Sequence, residues 1–168
     1  MKKNLILALI CVTLSVCGLI SQNTTLDANI ESDIVEYQDN KRDSLVSEIL
    51  DEAKSHIGKK YVWATRGPKT FDCSGFVYYV FRQFDITLTP SSRNQYKHGK
   101  AITKNEAKAG DLIFFRSKRS GKNVGHVGII CDTTDNIKFI HASTKQGITI
   151  SNLEGYYIKN FIGIKRVV

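Results

Sequence analysis

Apolar residues recur along this chain in three rhythms, and their order sets the expected architecture. The first is a run from Leu5 to Ile20, 16 residues without a charge, directly after Met1-Lys2-Lys3-Asn4. It falls short of the ~20 residues of a membrane-spanning helix. A basic start followed by an apolar stretch at the extreme N-terminus is the pattern of an export signal, so residues 1–22 are expected to direct secretion. From Asn23 to Asn40 the chain is polar and acidic, with Asp27, Glu31, Asp33, Glu36 and Asp39, and 23–42 reads as a polar linker.

The second rhythm is helical. Leu45, Val46, Ile49, Leu50, Ala53 and Ile57 recur at three- and four-residue steps and predict an amphipathic helix from about Asp43 that stops at Gly58. Phe76, Val77, Val80, Phe81 and Phe84 predict a second helix starting close to Asp72 and Cys73. The third rhythm is that of strands: Asp111 to Arg116, Val124 to Cys131, Ile137 to Ala142, Gly147 to Ser151 and Phe161 to Val167. Helices first and strands afterwards predict an α+β fold, its N-terminal helices packed on one side of an antiparallel sheet of about five strands. Residues 43–168 are expected to be one domain.

Composition adds a compartment and a charge. The chain has 168 residues and a net charge of +8. Removal of residues 1–22 would leave 22 basic and 16 acidic residues, a balance of +6. Such a balance favours anionic partners. Export and the lack of a basic helix or aromatic-basic interleaving argue against nucleic acid, whereas anionic cell-wall polymer suits both facts. Two of the four cysteines, Cys11 and Cys17, lie in the export segment, so the domain is not a disulfide scaffold. Leu14-Ser15-Val16-Cys17-Gly18 resembles a lipoprotein cleavage box, with Val16 bulkier than usual, and makes Cys17 a candidate membrane tether. The expected location is the periplasm or cell envelope, and a monomer is expected.

The candidate chemistry gathers on three side chains. Cys73, at a predicted helix start, would meet unpaired N–H groups and the positive end of the helix dipole, which lower a thiol's pKa. Position alone leaves it equally a core residue or half of a disulfide with Cys131. His126 lies in Gly125-His126-Val127-Gly128, and His141 lies on the next strand in Phe139-Ile140-His141-Ala142. A turn near Thr133 to Asp135 would bring His126 within about a residue of opposite His141, on the same face when the register is even. Strand alternation points Cys131 to the other face. A helix-start cysteine with two neighbouring strand histidines supplies nucleophile, base and orienter. The rival is zinc on Cys73, His126 and His141, but no CxxC pair or HExxH helix is present. No metal or organic cofactor is expected.

These residues sit in segments that together resemble the NlpC-type cell-wall cysteine peptidases of the papain-like clan. The segments are Tyr61-Val62-Trp63, Phe71 to Val77, Ser91 to Gln95, Ala109 to Phe115, Gly125 to Ile129 and Phe139 to Ser143, in the family's order. The resemblance implies hydrolysis of an amide bond in peptidoglycan stem peptides, typically between D-glutamate and the diamino acid. Cys73 would be nucleophile, His126 base and His141 the polar third member. It further implies that Tyr61, Asp72, Ser74 and Ser92 line the subsite for the L-alanyl end, Asp72 pairing with a free amine. Two departures are visible: Trp-Gly-Gly reads Trp63-Ala64-Thr65, and Leu-Pro-Arg reads Leu88-Thr89-Pro90. An amidase or acyltransferase on the same scaffold, or an inactive wall-binding module, are the other functions this pattern accommodates.

Overall fold

The computed structural model describes residues 30–117 and 121–168, in two units divided between Asp43 and Ser44. The expected export signal and Cys17 lie outside the described residues. In the first unit residues 30–43 are helical and expose Ile30, Ile34, Val35 and Tyr37. The described part of the expected polar linker, 30–42, is thus helical. Ile30, Ile34 and Tyr37 are spaced at four and three residues, a helical rhythm that the surrounding acids mask.

The second unit begins with helix α1, residues 44–55. Its inward face is Val46, Ile49, Leu50 and Ala53, all buried, whereas Ile57 lies past the helix end and is exposed. Helix α2, Cys73–Arg82, buries Phe76, Val77, Val80 and Phe81 completely. The short α3, Ser92–Gln95, packs on α2 and on the sheet.

The sheet has six antiparallel strands: β1 Lys100–Ile102, β2 Leu112–Arg116, β3 Val124–Asp132, β4 Lys138–Ser143, β5 Gly147–Asn152 and β6 Phe161–Arg166, in the order β1-β6-β2-β3-β4-β5. The expectation of about five missed β1, which is three residues long and buries only Ile102. Both faces of the sheet are covered. Leu112, Phe114, Val127, Ile129, Ile140, Ala142 and Ile148 pack with α1 and α2. Ile113, Phe115, Ile130, Phe139 and Ile164 form a second cluster, closed by Leu153 and by Tyr157 of helix α4, Gly155–Asn160. The N-terminal helices thus pack on one face of the sheet, as expected, and the later α4 covers the other.

The edge of the sheet near β1 is locked by charge. Arg166 Nε and an Nη donate to the two carboxylate oxygens of Asp111, both at 2.8 Å, and that Nη also donates to the Glu106 carbonyl at 2.9 Å. Asp111 is fully buried, so the acid of the Ala109-Gly110-Asp111 segment serves the fold.

Candidate active site

Helix α2 begins where it does because Asp72 caps it. The Asp72 backbone is extended, its own N–H donates to the Thr65 carbonyl at 2.9 Å, and its Oδ1 accepts the Gly75 N–H at 2.6 Å and the Ser74 hydroxyl at 3.1 Å. Gln95 of α3 braces the same turn, donating through Nε2 to the Ser74 carbonyl at 3.0 Å. The cap thus fixes Cys73 at the first helical position, with its own N–H and that of Ser74 directed at the sulfur.

On the sheet side the sulfur meets β3 on both flanks of His126. It lies 4.0 Å from the Gly125 carbonyl, and the Val127 N–H reaches it from the other flank. The pairing of β2 with β3 explains the approach. Phe115 lies opposite His126 and Arg116 opposite Val124, so Gly125 is the extra residue of a bulge. A Cβ there would stand 2.3 Å from Ser117 Cβ, so only glycine fits.

His126 Nε2 is 2.8 Å from His141 Nδ1, with the rings edge-to-face at 4.9 Å between centroids. Extended by one residue, the β3–β4 register of Ile129 opposite Ile140 sets Gly128 across from His141. His126 is therefore a diagonal neighbour of His141 on one face, two positions from directly opposite. Gly128 makes that diagonal possible, because a Cβ on it would press the Phe139 ring at 2.7 Å and His141 Cβ at 3.2 Å. His126 is part-exposed at the mouth of the site, and His141 is fully buried. Burial, and secondarily the neighbouring His126, push the His141 pKa down to about 3, so this imidazole is neutral.

The thiol behaves differently from the expectation of a helix-start thiolate. Burial pushes Cys73 up to about 12 and the Asp72 carboxylate pushes the same way; the N–H groups of Val127, Ser74 and Cys73 oppose them without prevailing. Ionisation of Cys73 therefore needs a base beside it. Cys73 and Cys131 are both free thiols, and Cys131 packs with the first cluster, on the face away from the histidine rings.

Of the other expected residues, Tyr61 lies next to Cys73. Its phenol is pushed up to about 12, first by burial and then by Cys73 and Asp72, and so stays an O–H donor. Ser74 is buried and its hydroxyl is engaged with Asp72, while Ser92 is part-buried at the first position of α3. Ala64, at the departure from Trp-Gly-Gly, has φ +61°, so the loop keeps a glycine-like turn and holds Trp63 out in solvent. No three His, Cys, Asp or Glu side chains among the described residues are grouped to hold a metal, and the two histidines aim ring nitrogens at each other. Two neighbours escaped sequence reasoning: Ser151 Oγ and the Tyr157 hydroxyl lie 3.0 Å and 3.2 Å from His141 Nε2. Pairing β4 with β5 across the turn at 144–146 would have found Ser151, whereas Tyr157 carries no sequence signal.

The family model described as NlpC/P60 family matches residues 58–166. The chain belongs to the NlpC/P60 family. Its domain is 35% identical over 139 residues to "Probable endopeptidase p60" of Listeria grayi, covering 79% of this chain and 25% of that protein. It is 35% identical over 125 residues to "Murein DD-endopeptidase MepS/Murein LD-carboxypeptidase" of Escherichia coli K12, covering 73% of this chain and 63% of that one. Among solved structures, an NLP/P60 family protein of Staphylococcus aureus described as similar to lipoprotein superposes with a TM-score of 0.68 at 36% identity, covering 75% of this chain and 42% of the other. The NlpC/P60 chain thus spans about a quarter of the Listeria relative and under two thirds of the Escherichia coli one. Its α+β architecture is the papain-like one of these domains.

Proposed function

We propose that this NlpC/P60 domain hydrolyses amide bonds in peptidoglycan stem peptides, with Cys73 as nucleophile, His126 as base and His141 as the group that orients His126. The observation that carries this reading is the junction at β3: the Cys73 sulfur against the backbone on both flanks of His126, whose Nε2 is tied to a neutral, buried His141 at 2.8 Å. His126 Nδ1 is then the nitrogen that takes the thiol proton as the sulfur attacks the amide carbon. The N–H groups at the start of α2 and the Tyr61 hydroxyl supply donors for the developing oxyanion. His126 passes the proton to the leaving amine, the C–N bond breaks, and water activated by the same base hydrolyses the thioester, freeing the carboxyl product and restoring the Cys73 thiol.

For the scissile bond we favour that between D-glutamate and the diamino acid, with Tyr61, Asp72, Ser74 and Ser92 around the L-alanyl end. In this reading residues 1–22 export the chain, which works as a monomer in the envelope with Cys17 as candidate lipid anchor, and its basic surface suits anionic wall polymer. Mass spectrometry of stem peptides after digestion tests the bond. A new amine on the diamino acid and a new carboxyl on D-glutamate are expected; release of D-alanine, or an L-alanine freed from the glycan, would reject this bond in favour of carboxypeptidase or amidase action. The deep burial of the thiol favours a second reading, a wall-binding module without turnover, for which intact peptides would be recovered.

A further inference from the structure

His141 is engaged at both ring nitrogens: Nδ1 with His126 Nε2, and Nε2 with two hydroxyls, those of Ser151 and Tyr157. The three-residue reading does not account for these hydroxyls. A neutral imidazole carries one ring proton, and its position decides what the other nitrogen can do. With the proton on Nε2, His141 Nδ1 presents a lone pair to the Nε2–H of His126, and His126 Nδ1 is left unprotonated to receive the Cys73 proton. With the proton on Nδ1, His141 donates to His126 instead, whose own proton must then occupy Nδ1, and the base is blocked.

We infer that Ser151 and Tyr157 are positioning residues that keep the His141 proton on Nε2, and so keep His126 Nδ1 available as a base. The fold builds this arrangement from two elements. The β4–β5 register sets Phe139 opposite Ser151 and His141 opposite Thr149, so Ser151 stands on the face of His141 as its diagonal neighbour. Tyr157 arrives from α4 and is held by its ring, 5.3 Å from His141, 4.9 Å from Phe139 and 5.2 Å from Phe115 between centroids. Ser151 also hydrogen-bonds Tyr157. Each of the two hydroxyl oxygens carries lone pairs able to accept the single Nε2–H of His141. His126 and Tyr157 are the titratable groups facing His141, and burial keeps its ring in the one-proton state to which this argument applies.

The role rests on the Cys73–His126–His141 reading, and its test is chosen to fail separately from it. Ser151→Ala, Tyr157→Phe, the double variant and the conservative Ser151→Thr are made in the full chain. Nitrogen-15 spectra of the histidine rings should place the wild-type His141 proton on Nε2 and move it toward Nδ1 in the double variant. The kcat of the double variant should fall roughly tenfold or more with KM changed less than about twofold, because a buried N–H has lost its acceptors. The pH profile of Cys73 alkylation should shift upward, and Ser151→Thr should stay close to wild type in every readout. A wild-type His141 protonated on Nδ1, or a double variant with unchanged ring spectra and kcat, overturns the inference. If the double variant does not fold, each single variant should give an intermediate ring spectrum, and unchanged spectra in both likewise overturn it. If His126→Ala retains full turnover the catalytic reading fails, and the ring spectra still judge the two hydroxyls because they require no turnover.

Discussion

Cys73 stands under opposed influences whose balance the structure decides. Three N–H groups favour the thiolate, while burial and the Asp72 carboxylate oppose it and win, leaving the thiol near 12. In the proposed mechanism the reactive state is therefore made by proton transfer to His126. Iodoacetamide labelling at neutral pH should accordingly slow at least about tenfold in His126→Ala while Cys131 labelling is unchanged. Equal labelling of Cys73 in both proteins would contradict this. Asp72 offers a second test, because its carboxylate caps α2 and also raises Cys73. Asn caps about as well as Asp, so Asp72→Asn should keep the fold and speed Cys73 labelling. If Asp72 also binds a free L-alanyl amine, the same variant should slow turnover of unattached stem peptide strongly and of glycan-linked stem much less; equal effects on both substrates reject the amine role. The place of Cys73 was legible from the periodicity of α2. Its ionisation was not, since periodicity marks a helix start without revealing how deeply that start is buried.

At the scale of elements, alternation and helical spacing located β2 to β6 and α2 within a residue or two, because each buries a continuous stripe or face. What escaped had little apolar signature of its own. The β1 strand contributes a single buried residue, α4 is six residues long and buries none, and helix 30–43 exposes its apolar side chains. The apolar rhythm of β3 also concealed its bulge, which depends on pairing with β2. Two substitutions separate scaffold from chemistry. Asp111→Asn removes the buried half of the pair with Arg166, and should lower unfolding free energy by about 2–3 kcal/mol, a shift in urea midpoint at unchanged slope, with kcat intact below the transition. A loss of kcat in the folded variant would instead place Asp111 in the chemistry. Gly128→Ala should displace His141 from His126 and depress kcat more than stability, since its Cβ would press on the His141 Cβ and the Phe139 ring.

For the whole molecule, the buried His141 couples folding to pH. Its folded pKa of about 3 lies below the unfolded value near 6.5, so the unfolded chain binds the extra proton between the two. The stability due to a neutral His141 is complete above about pH 6.5 and is lost as pH falls from there toward 3, by at most about 1.4 kcal/mol per pH unit. His141→Asn should flatten that part of the stability curve; an unchanged curve would show that His141 is not the group responsible. The helices, the six-stranded sheet and the two clusters serve in this account to bring one thiol, one accessible imidazole and one neutral imidazole into line. Turnover of purified peptidoglycan stem peptides by the full chain and by Cys73→Ala, followed by mass spectrometry, tests that account most directly. Cleavage at the D-glutamyl bond by the wild type with none by a folded Cys73→Ala is the predicted result, and undiminished cleavage by Cys73→Ala would contradict it.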